Sequence, residues 1–598
     1  MTAYSSEGSD SPRKAWMRAL EMTAPITKNI YVTLPFLIQS LAERFGSALA
    51  LLSESDSLTY RALAETANRY ARWALAQGIA SGDTVCLFLP NCLDYLPIWL
   101  GITRVGGTVA LLNTNLIGDS LEHSVKIVTP KHIIVGMELL DATVGVLLRF
   151  GSALKTWSHG QSDYSLPQID KEIQRFEGDS LTSAECLLPS IQDPALYIYT
   201  SGTTGLAKAA RVSHFRLMQW THWFAGMMDT RPTDRMYNCL PMYHSIGGVV
   251  ATGATLINGG SVALRRRFSA SRFWDEVVDW NCTLFQYIGE LCRYLVNSPP
   301  HPRESENELR LCCGNGLRPD VWVEFKRRFH IPKILEFYAA TESNLSLYNC
   351  EGRPGAIGRI PSFLAHRNSV ALVEIDVDTN EPIRDEKGRC ARCSANQVGE
   401  AIGKIVDDAS SPGSGFEGYT DKEASDKKLL RNVFVNGDSW YRTGDLMRRD
   451  EKGFFFFVDR LGDTFRWKGE NVSTTEVADV ISAYPGVLEA VAYGVTIPGT
   501  EGRAGMVAVV AIQHFSLEAF RQYLAARLPE YARPLFLRMS DEIEATATFK
   551  LKKQDLAREG YDPTVTTDSI YFNDHARQAF VKLDAALYEQ VLTGNVHL

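Results

Sequence analysis

The sequence predicts an α/β protein: a large N-terminal domain of parallel sheets with a small barrel-like unit, followed by a smaller α+β C-terminal domain. Three observations carry that expectation. Short apolar runs at 84–89, 108–112, 132–136 and 195–199 alternate with helical patterns, the order that builds parallel sheet. From 371 to 459 the runs shorten and turn residues crowd between them, as in antiparallel or barrel-like sheet. From about 464 onward strands and helices mix again, in VLEAVAYGV and LEAFRQYLAARL.

The elements follow in order. Residues 1–33 form a polar lead with one short helix at 14–22. Residues 34–45 carry apolar side chains at helical spacing. From Leu58 a short strand leads into a long amphipathic helix ending at Gly78, and a strand at 84–89 turns at Pro90-Asn91 into a helix and the 108–112 strand. The stretch 95–112 is apolar enough to suggest a membrane span. Arg104 stands near its middle, where an arginine costs about 2.5–3.5 kcal/mol, and Gly106-Gly107 would break the helix. A buried helix followed by a strand is therefore expected. Residues 152–189 are polar and weakly patterned and read as a connecting insert. The 195–199 strand runs straight into a glycine-rich loop, and β/α alternation continues to about Glu342. There is no internal repeat and no low-complexity segment.

Composition narrows the function classes. With 45% hydrophobic and 22% charged residues the chain reads as globular rather than disordered. A net charge of -8 argues against a nucleic-acid binder, and the one dense basic run, Arg265-Arg266-Arg267, reads as a solvated face. Eleven cysteines, in a chain whose polar start lacks a secretory core, point to reduced thiols and a cytoplasmic setting, with peripheral membrane contact left open. Cys390 and Cys393 have CxxC spacing but no second pair to complete a structural zinc site. The closing Val-His-Leu matches a peroxisomal address too poorly to be read as one.

The sharpest local signal is TSGTTGLAK at 200–208. Gly202 and Gly205 let backbone N–H groups turn toward an anion, the hydroxyls of Thr200, Ser201, Thr203 and Thr204 add donors, and Lys208 adds a point charge. That is chemistry for nucleotide phosphates. It differs from the GxxxxGK[ST] P-loop, because only two residues separate Gly205 from Lys208 and Ala209 follows. A dinucleotide fingerprint is excluded too: Gly314-Asn315-Gly316 is followed by Pro319 where the third glycine would stand.

YTSGTTGLAK resembles the signature loop of the acyl-adenylate-forming superfamily, which holds acyl-CoA synthetases, luciferases and peptide-synthetase adenylation domains. Ala207 stands where members usually have proline. Further motifs follow in the superfamily's order: FYAATE at 337–342 with Ala339 in place of the usual glycine, YRTGD at 441–445, DRLGDTFRWKGENVSTTEV from Asp459, and TATFK ending at Lys550. FSASRFWDEVVDWNCTLFQYIGELCRYL, CGNGLRPDVW and IPGTEGRAGM resemble the fatty-acid transport protein branch, whose members are long- and very-long-chain acyl-CoA synthetases. The resemblance runs from about Leu34 to near the end. Many branch members carry an N-terminal membrane segment, and this sequence shows none.

The resemblance implies a division into the lead 1–33, an adenylate-forming domain at 34–459, a hinge at 460–463 and a mobile C-terminal domain at 464–598. It implies ATP-dependent activation of a fatty acid as acyl-AMP, then transfer to coenzyme A, with Mg2+ as cofactor. Lys550 would bridge the carboxylate and the α-phosphate; Thr341 would contact that phosphate; Glu342, with Thr203 or Thr204, would hold magnesium. Tyr338 would stack on adenine, Asp445 would accept the ribose hydroxyls, Arg460 would contact ribose or phosphate, and Gly314, Asn315 and Gly316 would border the nucleotide. Gly462 and Asp463 would form the hinge. His244, Tyr243 and Tyr287, with Phe285 and Ile288, are either acyl-pocket walls or plain core. Two other functions stay open: a ligase that loads a carrier protein, and a non-catalytic fatty-acid uptake or binding protein.

Overall fold

The computed structural model describes residues 11–161, 163–201, 207–365, 370–376, 379–406, 415–468, 470–500, 502–512, 515–544 and 553–596. The chain divides into two compact units. The first runs to Gly358 and takes back Lys404–Leu429; the second is Arg359–Gly403 with Leu430–Leu598.

Two sheets build the first unit. One has six strands in the order Lys155–His159, His132–Gly136, Thr84–Phe88, Thr108–Leu111, Pro194–Ser201 and Ala207–Ser213. It is parallel up to Pro194–Ser201, and the last pair, which flanks the 200–208 loop, is antiparallel. The other has eight strands, with Leu311–Asn315 between Leu284–Ile288 and Ile334–Ala339. Buried Val, Ile and Leu dominate the central strands, as two-sided parallel sheets require.

The apolar stretch behind the membrane-like signal is core. Helix Tyr95–Arg104 is buried along all ten residues, and strand Thr108–Leu111 follows it. Arg104 is 6% exposed, and burial holds its basicity below the usual arginine range. Among the described residues no helix is long and apolar enough to cross a membrane.

The connecting insert expected at 152–189 needs correction. Its Lys155–His159 stretch is the edge strand of the six-stranded sheet, pairing with His132–Gly136. Trp157 anchors it: the indole donates to His132 Nδ1 at 3.1 Å and meets Trp73 edge-on at 5.2 Å. An edge strand with two buried side chains leaves too faint a pattern to read.

In the second unit, Val370–Val373, Val398–Lys404, Ser439–Arg449 and Phe454–Arg460 share an antiparallel sheet. A five-stranded mixed sheet, from Val487–Val495 to Ala579–Lys582, closes over its own core with helices Thr474–Ser482 and Leu517–Arg527. The large α/β body and the smaller mixed C-terminal part agree with the fold class read from the sequence.

Candidate active site

In the first unit the chain brings Thr200, Lys208 and Glu342 to one corner. Strand pairing sets Thr200 opposite Lys208 on the two flanks of the loop. Gly202, Thr203, Thr204 and Gly205 lie outside the described residues, and Ser201 ends the strand. Glu342 follows strand Ile334–Ala339 and is 7% exposed. Among the described residues its carboxylate takes one hydrogen bond, from the Tyr419 hydroxyl to Oε1 at 2.6 Å. Thr200 hydrogen-bonds the same phenol, and Lys208 Nζ lies 5.7 Å from the centre of its ring. Burial, and then the Glu342 charge, push the Tyr419 phenol above its usual range, so it stays a donor.

Thr341 is held from two sides. Arg216, 3% exposed, donates from Nη1 to the Thr341 carbonyl at 2.8 Å, and the Ser245 and Thr341 hydroxyls lie 3.3 Å apart. Sequence reasoning missed Arg216, Ser245 and Tyr419; their partners lie 125, 96 and 77 residues away along the chain.

Ser245 opens a π-helical segment, Ser245–Ala251, directly after His244. A side chain on Gly248 would come within 2.0 Å of the Met242 carbonyl, so the tight approach depends on glycine. Wide helical turns of this kind occur often at functional sites. The Tyr243 and His244 rings pack 4.7 Å apart, with Tyr243 buried. A small apolar cavity bounded by Ile38, Leu96, Trp99, Val249 and Leu256 adjoins the segment.

The Gly314-Asn315-Gly316 turn ends strand Leu311–Asn315. The space beside Gly314 is filled: a Cβ there would meet the Tyr287 carbonyl at 2.3 Å and its ring at 2.5 Å. Asn315 Oδ1 is buried without a hydrogen-bond partner among the described residues. Tyr287 and Phe285 are fully buried. The Tyr287 hydroxyl is bonded to Glu336, whose other oxygen accepts from the Leu317 N–H at 3.0 Å. Burial pushes the Glu336 carboxyl up to about 8. Tyr338, two residues on, is half-buried on the same strand, opposite Leu347.

The second unit carries the remaining predicted residues. Asp445 pairs with Arg460 across the Ser439–Arg449 and Phe454–Arg460 strands, with Arg460 Nε 3.8 Å from Oδ1. Gly444 donates its N–H to fully buried Glu400 at 3.1 Å. Asp459 is 1% exposed and accepts from Thr474 N–H at 2.6 Å and from the hydroxyls of Thr464, Thr474 and Thr475 at 3.1–3.2 Å. Gly462 has φ +92°, and the space where a Cβ would point is open. Lys553 Nζ lies 3.2 Å from Asp463 Oδ2 and donates to Thr474 Oγ1 at 2.7 Å. Lys550 lies outside the described residues.

All eleven cysteines are free thiols. Among the described residues no group of three or more His, Cys, Asp or Glu side chains gathers as a metal cage. Magnesium does not need one: it usually takes one or two carboxylates and completes its shell with water and substrate phosphates. A buried carboxylate beside a phosphate-type loop is a donor set of that kind.

A strand-flanked 200–208 loop with a neighbouring buried carboxylate fits the class of adenylate-forming enzymes that the motifs resemble. The AMP-binding enzyme model matches residues 38–390, and the model of the AMP-binding enzyme C-terminal domain matches 476–550. The fold is shared with an anthranilate CoA ligase in complex with anthranoyl-AMP (TM-score 0.75, 19% identity, 89% of this chain and 97% of that one). It is also shared with ATP-bound MatB from Rhodopseudomonas palustris (TM-score 0.73, 22% identity, 88% and 98%). Long-chain fatty acid transport protein 1 of Mus musculus is 40% identical over 95% of this chain and 88% of its own length. Long-chain fatty acid transport protein 6 of the same organism is 39% identical over 92% and 88%. The chain belongs to the AMP-binding enzyme family, in the branch of the long-chain fatty acid transport proteins.

Proposed function

We propose that the protein activates a long- or very-long-chain fatty acid with ATP and passes the acyl group to coenzyme A, giving acyl-CoA, AMP and pyrophosphate. The observation that carries this reading is the meeting of Thr200, Lys208 and Glu342 at one corner, in a chain so similar to long-chain fatty acid transport proteins.

In the first half-reaction a carboxylate oxygen attacks the α-phosphorus, the bond from that phosphorus to the bridging oxygen breaks, and pyrophosphate leaves. Carboxylate and triphosphate repel, so fixed cations and donors must be in place beforehand. Lys208 and the Thr200 flank would hold the phosphates, and Thr341 would present its hydroxyl to the α-phosphate. Arg216 and Ser245 keep Thr341 in place. Glu342 would hold magnesium, which supplies charge neutralisation on the phosphate oxygens. Asn315 Oδ1, buried and without a partner among the described residues, would accept from the exocyclic amine of adenine, and Tyr338 would stack on the ring. Lys550 would bridge the attacking carboxylate and the α-phosphate. In the second half the thiol of coenzyme A attacks the acyl carbonyl and AMP leaves. We assign Asp445 and Arg460 to the ribose side and Gly462 and Asp463 to a hinge for the C-terminal domain from about 464. Tyr243 and His244 would border the acyl chain.

The test is pyrophosphate release from ATP and magnesium across acids of increasing length, with and without coenzyme A. Turnover that needs coenzyme A and rises with chain length supports the reading. Release without thioester formation points to a different acceptor. Binding of fatty acid with no release for any acid would overturn catalysis.

A further inference from the structure

We propose that Tyr419 is a positioning residue: its hydroxyl fixes the Glu342 carboxylate for metal binding and ties it to both flanks of the phosphate loop. The proposal rests on the magnesium reading of Glu342 above and goes beyond it.

The argument starts from topology. After the Val398–Lys404 strand the chain returns to the first unit and stays until Leu429. There it adds to the sheet edge next to the phosphate loop. Arg211 N–H donates to the Gly418 carbonyl, Thr420 N–H donates to the Ala209 carbonyl, both at 3.0 Å, and Ala210 pairs with Tyr419. The edge strand that receives it, Ala207–Ser213, begins where the loop ends. Tyr419 is thus placed by backbone hydrogen bonds, not by a free rotamer on a loop.

Side chains lock the same segment. Glu417 accepts from the Ser213 N–H at 2.9 Å and its hydroxyl at 2.7 Å, and Arg216 Nε lies 3.4 Å from Glu417 Oε1. Arg216 also holds the Thr341 carbonyl, so one buried guanidinium joins the inserted segment to the residue beside Glu342. From this base the Tyr419 ring, 4% exposed, reaches three groups at once. It donates to Glu342, hydrogen-bonds Thr200 and presents its face to Lys208. With this one hydrogen bond at Oε1 among the described residues, the carboxylate is oriented, and its other oxygen has capacity for a cation. Groups that orient a metal ligand in this way typically contribute 10–100-fold to metal affinity or activity.

The experiment is calorimetric binding of α,β-methylene-ATP, which cannot be adenylated from, in the presence and absence of Mg2+. The readout is the gain in nucleotide affinity that Mg2+ confers; a general loosening of the fold would weaken both titrations and leave the ratio unchanged. Tyr419→Phe removes only the hydroxyl and should lower that gain about tenfold; any loss of affinity common to both titrations cancels in the ratio. Glu342→Gln should abolish the gain, and the double variant should match Glu342→Gln alone. A wild-type gain in Tyr419→Phe, with the gain lost in Glu342→Gln, overturns the role of Tyr419. A gain retained in Glu342→Gln, or absent from the wild type, overturns the magnesium reading and the proposal with it. Thermal melting monitors folding. If the Phe variant does not fold, a fluorinated tyrosine at 419 tests the same hydrogen bond by weakening the phenol as an acceptor and strengthening it as a donor; an unchanged Mg2+ gain there also overturns the proposal.

Discussion

Glu342 in the first unit and Asp459 in the second are both buried carboxylates, and their surroundings differ in one decisive respect. Glu342 takes a single hydrogen bond among the described residues, from Tyr419. Asp459 accepts from two backbone N–H groups and three threonine hydroxyls, packed under the start of helix Thr474–Ser482. A buried carboxylate has about four acceptor positions. At Asp459 they are filled; at Glu342 one is filled among the described residues. The carboxylate proposed to bind magnesium and the one that joins a strand to a helix thus differ, among the described residues, in the number of donors they meet.

That contrast can be broken by experiment. The largest effect is expected from Glu342→Ala: a rate of ATP-dependent pyrophosphate release lower by about a hundredfold or more, with a melting temperature close to wild type. A large drop in stability with an unchanged rate would reverse the assignment. Asp459→Ala should do the opposite. It strands the Thr474 N–H and three hydroxyls and should destabilise the second unit by about 2–4 kcal/mol, read by denaturant unfolding of that unit.

A third carboxyl sharpens the comparison through pH. Glu336 is buried with the Tyr287 phenol and the Leu317 and Gly316 N–H groups, and burial pushes its carboxyl up to about 8. The folded state therefore holds its proton between the ordinary carboxyl range and about pH 8, where the unfolded chain has lost it. Stability from this group is full below about pH 4.5 and is lost as pH rises to about 8. Glu336→Gln should flatten that decline in melting temperature; a decline as steep as wild type would assign it to other groups. The smallest effect is expected from Lys553→Met. Its ion pair with Asp463 is partly exposed, and the loss should stay within about 1 kcal/mol.

Much of this was legible before the structure. Helix Leu34–Phe45 has the span its apolar spacing implies, and the helix-then-strand reading of 95–112 holds because Arg104 and the paired glycines oppose a membrane span. The strand running into the 200–208 loop also stands where the apolar run at 195–199 places it. Lys155–His159 was not legible, because an edge strand with mixed polarity gives no period. Nor was the return of Lys404–Leu429 to the first unit, since its polar, turn-rich residues look like any surface connection.

The sequence by itself determined which chemical groups the protein owns and which family it resembles: glycines and hydroxyls beside a lysine, a Thr-Glu pair, a TGD turn, in one order along the chain. Those signals are local, and local signals survive in a linear reading. Only the tertiary structure decided that Tyr419, 77 residues from Glu342, holds its carboxylate, that Arg216 ties Thr341 to the inserted segment, and that Tyr287 spends its hydroxyl on Glu336. Each of these pairs depends on where sheets bring distant strands together. That is set by burial of the whole core, and no spacing along the chain records it.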